Sequence, residues 1–103
     1  MKRLLFVGLL CGSAVVAFAQ SKHSFVPEQG LVPTAEVAIR IALAIWEPIY
    51  GSSNIERQKP YKAVLRDGVW YVEGSLPPNT IGGVAIAEIT QRDAKVLRVS
   101  HGK

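Results

Sequence analysis

Hydrophobic positions are spaced in different ways along the chain. From Leu4 to Val16 they run almost unbroken, from 20 to 32 they keep no period, from 34 to 50 they recur at helical spacing, and later they alternate. In "PTAEVAIRIALAIWEPIYG", Thr34 after Pro33 is a good N-cap, and Glu36 stands in the first turn, where the positive end of the helix dipole favours it. On a 3.6-residue wheel Glu36, Arg40, Leu43 and Glu47 fall in one narrow stripe and nearly everything else is apolar, which predicts a mostly buried helix. The rows Val37, Ile41, Ile45 and Ala38, Ala42, Trp46 are expected against a sheet, the alanines allowing close approach. Pro48 cannot donate to the carbonyl of Ala44 and crowds that turn. A kink or an end is therefore expected near Glu47, with Gly51 as the outer limit. The charged stripe and the proline argue against a membrane span here.

The second half has a period of two. "YKAVLRDGVWYVEG" is two β-branched and aromatic runs joined by Asp67-Gly68, a strong hairpin signal. A two-residue type I′ turn pairs Arg66 with Val69, Leu65 with Trp70, Val64 with Tyr71, Ala63 with Val72 and Lys62 with Glu73. Leu65, Trp70, Ala63 and Val72 then share an apolar face, and Lys62 opposes Glu73 on the other as a cross-strand ion pair. "LPPNTIGG" follows as a loop. A third strand "VAIAEIT" and a fourth "VLRVSH" flank "QRDAK". A three-residue loop Asp93-Ala94-Lys95 sets Ile89 against Val99, Gln91 against Leu97 and Thr90 against Arg98, whereas a two-residue turn would bury Arg98 opposite Ile89. The expected fold is α+β: one N-terminal amphipathic helix packed on a four-stranded antiparallel sheet, its other face partly wet. No internal repeat or low-complexity tract interrupts it.

The unbroken run at the start reads as a signal peptide over residues 1–19. Lys2 and Arg3 form its positive end, Leu4 to Val16 its apolar region, and Ala17-Phe18-Ala19 supplies the small residues for cleavage between Ala19 and Gln20. A retained anchor needs about 20 predominantly apolar residues, more than this stretch holds, so no stable membrane anchor is expected after cleavage. A lipoprotein reading through Cys11 is disfavoured, because Leu10 is not the small residue that such processing needs before the cysteine. The protein is accordingly expected in the periplasm or secreted. Residues 20–32, with Pro27 and Gly30, read as an extended tether with an apolar patch at Phe25-Val26, and residues 33–103 as one domain. Cleavage would remove the chain's single cysteine, leaving stability to packing alone in a small domain. It would also lower the formal charge from +4 to +2 by removing Lys2 and Arg3. A mild excess without a Lys/Arg run argues against a nucleic-acid partner.

Chemistry-bearing residues are sparse. Ser100 and His101 are neighbours on a strand, so their side chains point to opposite faces and cannot form a dyad. Nothing in the sequence brings Ser24 or Ser75 to His101. His23 and His101 are not spaced as metal ligands, and no metal is expected. Gly82-Gly83 lacks the strand-then-helix context of a phosphate loop, so no cofactor is expected either. Glu88 is the best candidate for a pocket carboxylate, against the plainer reading of an outward edge charge that discourages strand addition. What remains is surface. Lys62, Val64, Val69, Tyr71 and Glu73 should lie on the sheet face away from the helix, an aromatic with apolar neighbours inside a charged rim. With Arg98 and His101 of the last strand they form the candidate partner-binding surface. The competing account is that Phe25-Val26, or a second copy of the chain in a homodimer, covers that face.

"AEVAIRIALAIWEPIYG", "QKPYKAVLRDGVWYVEGSLP" and "GGVAIAEITQRDAKVLRVSHGK" together resemble the bacterial NTF2-fold immunity protein family, found beside polymorphic toxins and Rhs elements. The likeness covers almost all of residues 20–103 and rests on Trp46-x-Pro48-Ile49-Tyr50-Gly51, Gly68-Val69-Trp70, Gly82-Gly83-Val84-Ala85 and His101-Gly102-Lys103. One departure is Ala94, where the family pattern has glycine after the aspartate, and it bears on the last turn. The resemblance implies a reduced NTF2-like or cystatin-like fold and a non-enzymatic protein that binds and neutralises a cognate toxin. It implies no binding site: the motif glycines, Trp46 and Trp70 are expected to maintain the fold. A second function class stays open at this point, a small-ligand-binding or hydrolytic envelope domain, whose pocket would be lined by Trp46, Tyr61, Trp70 and Glu88.

Overall fold

The computed structural model describes residues 22–102. The expected signal peptide, with Cys11 and the Ala19–Gln20 bond, lies outside these residues.

Helix α1 spans Ala35–Tyr50, and the Thr34 hydroxyl accepts from the Val37 amide at 3.3 Å as its N-cap. It runs through Pro48 to Tyr50 rather than ending near Glu47, and stops at the outer limit expected at Gly51. Pro48 and Ala44 both lie on the exposed side, where water can take the carbonyl that the proline leaves without a donor. Gly51, at φ 93, ends the helix by donating to the Glu47 carbonyl, and a short helix α2, Ser52–Glu56, follows. No periodicity announces α2, a five-residue polar segment whose one buried residue is Ile55.

Four strands complete the fold: β1 Lys62–Arg66, β2 Val69–Glu73, β3 Ala85–Thr90 and β4 Val96–His101. They pair in sequence order as an antiparallel meander, with β1 and β4 at the edges. The hairpin register is the expected one, from Arg66↔Val69 to Lys62↔Glu73. Positive φ at both Asp67 and Gly68 is the signature of the type I′ turn that makes it.

α1 lies across β1, β2 and β3. Only Ala38, Ala42 and Trp46 of the helix are buried, whereas Val37, Ile41 and Ile45 are half-buried flanks, so one row rather than two makes the contact. Trp46, Ile55, Ile89, Val32 and Val72 fill the space between the layers. The indole N–H of Trp46 donates to the Ile86 carbonyl at 3.2 Å and that of Trp70 to the Val32 carbonyl at 2.7 Å. Among the described residues, no helix is long and apolar enough to cross a membrane.

The end of the presumptive tether belongs to this core. Val32 is fully buried, and the amides of Leu31 and Val32 donate to the carbonyls of Arg92 and Gln91, each at 3.0 Å. Gly30 packs so tightly on that turn that a Cβ would fall on the Gln91 carbonyl oxygen. Phe25 and Val26 stay exposed. A second close approach explains two of the family-like motifs. A Cβ on Gly83 would land on the backbone of Gly102, whose amide donates to the Val84 carbonyl, so the paired glycines let the C-terminal strand close against the start of β3.

The β3–β4 register differs from the expected one. Val99 faces Ala87 rather than Ile89, and Arg98 faces Glu88 rather than Thr90, with a bulge between Glu88 and Ile89 that brings Ile89 to Val96. Thr90 is the cause. Its amide donates to the Lys95 carbonyl at 2.9 Å, and its hydroxyl accepts from the Lys95 amide at 2.8 Å and donates to the Asp93 carboxylate, closing a longer turn. That hydroxyl, foremost, holds the Asp93 carboxyl below its ordinary range. The shift is by two residues where Arg98 and Val99 pair, so each keeps its predicted face, and Arg98 gains a carboxylate partner.

Ala94, the departure from the family pattern, sits in this turn at φ 60, a conformation in which an L side chain is strained. Ala94→Gly is expected to stabilise the protein by roughly 0.5–1 kcal/mol, the lost half-buried methyl offsetting part of the relieved strain. Urea denaturation checks this: the midpoint should rise with an unchanged slope, and a fall would mean that the methyl contact outweighs the backbone strain.

Candidate functional site

Alternation along the meander builds one continuous outer face opposite α1. A row runs across all four strands, Val64↔Tyr71, Tyr71↔Glu88, Glu88↔Arg98, and beside it lies Lys62↔Glu73, Glu73↔Ile86, Ile86↔Ser100. Arg66↔Val69 extends the face toward the hairpin. Together Lys62, Val64, Arg66, Tyr71, Glu73, Ile86 and Arg98 line a shallow groove of about 240 Å³. The Arg66 guanidinium lies over the Tyr71 ring, 4.3 Å from its centre. Arg98 donates through Nε to Glu88 at 2.7 Å and through Nη1 to the Ser100 hydroxyl at 3.2 Å.

Six of the sequence-derived surface residues, Lys62, Val64, Val69, Tyr71, Glu73 and Arg98, therefore share this face. Two details differ from expectation. Lys62 and Glu73 are opposite in register without forming an ion pair; among the described residues the ion pairs are Lys59–Glu56 and Arg98–Glu88. Glu88 is not an edge charge, because β3 lies between β2 and β4, and its carboxylate is neutralised by Arg98 instead. Sequence reasoning also passed over Arg66 and Ile86, although the same alternation that selects Val64 and Tyr71 selects them.

His101 does not join the group. It pairs with Ala85, on the helix side of the sheet, its ring centre 4.9 Å from that of Tyr50. Gln58, buried at the end of α2, determines its hydrogen bonding. The Gln58 carbonyl oxygen Oε1 accepts from the Ala85 amide at 2.8 Å, which turns the side-chain NH₂ toward His101 Nε2 at 3.0 Å. Nε2 is then the acceptor, and Nδ1 carries the proton that it donates to the Gly102 carbonyl at 2.7 Å. Ser100 points to the outer face, and the Ser75 hydroxyl donates to the Pro60 carbonyl at 2.6 Å, so His101 has neither serine as a partner. Beside this network the end of α2, Leu76, Ile81 and Gly102 enclose a second cleft of about 370 Å³ that no sequence signal indicated.

The residues proposed for a ligand pocket are not brought together. Trp46 and Trp70 are buried in the core, while Glu88 lies on the outer face. Tyr61 sits beside Trp46, ring centres 6.1 Å apart, and donates to the Ile55 carbonyl at 2.8 Å; partial burial, reinforced by the Glu56 charge, raises its phenol above the usual value. Among the described residues, no three His, Cys, Asp or Glu side chains are grouped to hold a metal ion.

The chain is similar to two curated proteins of Escherichia coli (strain K12). It is 34% identical to the uncharacterized protein YhhH over 73% of its own length, and 37% identical to the uncharacterized protein YbbC over 70%. In each case the match spans 60% of the relative's length. No solved structure matches the chain. The model of a family described as NTF2 fold immunity protein matches residues 37–103, from the first turn of α1 through β4. With that match taking in the helix, all four strands and the outer face they build, the chain belongs to the NTF2-fold immunity protein family.

Proposed function

We propose that this protein is an exported immunity-type inhibitor that binds a cognate bacterial toxin through the outer sheet face and neutralises it without catalysis. Family membership over residues 37–103 carries the reading. The outer face supports it: Val64 is 53% exposed at the centre of an edge strand, next to Tyr71 and inside a rim of Lys62, Arg66, Glu73 and Arg98. An apolar centre in a charged rim is the anatomy of a protein interface. Export rests on the basic, apolar and small-residue order of residues 1–19, which directs the inhibitor to the periplasm or beyond.

The test pairs this chain with the toxin-like product of an adjacent gene, both directed to the periplasm. A stable complex, protection of the producing cell and a mature N-terminus at Gln20 are expected. The absence of both the complex and the protection would overturn the assignment, and Val64→Asp should abolish both while leaving the thermal transition in place.

A further inference from the structure

On the outer face, among the described residues, Lys62, Arg66 and Glu73 are the groove-lining charges without an ion-pair partner, so free cations outnumber the free carboxylate two to one. Arg98 is committed to Glu88 and Ser100, and Glu88 is thereby satisfied. Arg66 and Lys62 have no carboxylate within ion-pair distance among the described residues. Arg66 is also oriented. Stacking on Tyr71 engages the flat face of the guanidinium, and this leaves its in-plane fork of N–H donors open. A planar donor fork at one end of β1, with the Lys62 ammonium lining the same groove from the other end, suits a carboxylate, which accepts two parallel hydrogen bonds. Val64 and Ile86 supply apolar walls on either side of Tyr71.

We propose that this groove receives a carboxylate side chain from an acidic, partly apolar segment of the partner protein, with Arg66 as the bidentate anchor and Lys62 as the second cation. The proposal rests on the reading that the outer face is the toxin-binding surface and gives that surface its chemistry. A polyphosphate chain fits less well, because it needs a row of cations along its backbone and no run of Lys or Arg continues beyond Lys62 and Arg66.

The test needs no toxin. The ¹⁵N-labelled protein is titrated with a decamer of L-glutamate, with decaglutamine and a decamer of thymidylate as comparisons. The glutamate decamer is expected to shift the amides of Val64, Arg66 and Tyr71 and the Arg66 Nε–H, with binding weakened several-fold as salt shortens the screening length. Arg66→Gln should weaken binding at least five-fold and Arg66→Lys less, while Lys95→Gln on the β3–β4 turn leaves it unchanged. No shifts, shifts centred on Arg57, Arg92 or Lys95, equal binding of decaglutamine, or tighter binding of the thymidylate at the same residues would each overturn it. A protein that shows the glutamate footprint but neither binds nor protects against the toxin would refute the functional reading alone. One that binds the toxin without the footprint would refute the anchor alone.

Discussion

Trp46→Ala is expected to remove most of the protein's stability. α1 buries a single row against the sheet, and two of its three members, Ala38 and Ala42, are too small to contribute much area, so the helix is held mainly by the third. Trp46 is fully buried and anchors its indole on the Ile86 carbonyl. Removing a buried tryptophan side chain costs about 3–5 kcal/mol, and leaving the carbonyl without its donor adds about 1 kcal/mol. A domain of this length has roughly 5–10 kcal/mol in total. The variant should therefore unfold at a urea midpoint far below the parent's, losing its near-ultraviolet circular dichroism in the same transition. Trp46→Phe, which keeps most of the volume but not the donor, should retain a transition at a lower midpoint. A Trp46→Ala midpoint close to the parent's would mean that the flanking Val37, Ile41 and Ile45, half-buried as they are, hold the layers together.

Legibility followed the range of the interactions. The helix and the Asp67-Gly68 hairpin are local, set by a cap, a period and a turn whose residues are neighbours in sequence; the hairpin formed as read, down to each pair from Arg66↔Val69 to Lys62↔Glu73, and the helix starts at its expected Thr34 cap but buries one row where two were expected. The β3–β4 register was misplaced because the Thr90 side chain, rather than the loop's glycine or proline content, decides where the turn closes. Val32 reads as tether in the sequence for a related reason. Its burial depends on docking to the Gln91–Arg92 turn, a contact between segments far apart in the chain that no periodicity encodes. Within the candidate site, alternation puts Val64 and Tyr71 on the outer face, where the structure has them, and the displaced register preserves the face of Arg98 because it moves by two. The same rule separates Arg98 from His101, three positions apart on one strand, so the two cannot share a face although the sequence reading groups them in one binding surface.

What His101 does instead leads to the second large effect. Gln58→Leu is expected to destabilise the protein by about 2–4 kcal/mol and to loosen the C-terminal end of β4 selectively. Gln58 is 5% exposed and ties three segments together: Oε1 accepts from the Ala85 amide where β3 begins, the side-chain NH₂ reaches His101 where β4 ends, and its backbone carbonyl accepts from the Ser75 amide at 2.7 Å. Leucine keeps the bulk and the backbone bond but strands the Ala85 N–H, and a buried donor without a partner costs about 1–3 kcal/mol. His101 Nε2 loses its donor as well. His101→Ala removes only the outer half of the network, where water can reach the freed amide, and should cost no more than about 1–2 kcal/mol. Because both changes break the same contact, the double variant should cost less than the sum of the singles, by about 0.5–3 kcal/mol. Hydrogen exchange locates the effect: the Ala85 and Gly102 amides should exchange faster in Gln58→Leu, while those of the β1–β2 hairpin change only with global stability. Ala85 protection equal to the parent's would show that another acceptor replaces the glutamine. The closure of β4 onto β3 would then rest on the strand ladder and the Gly83–Gly102 contact.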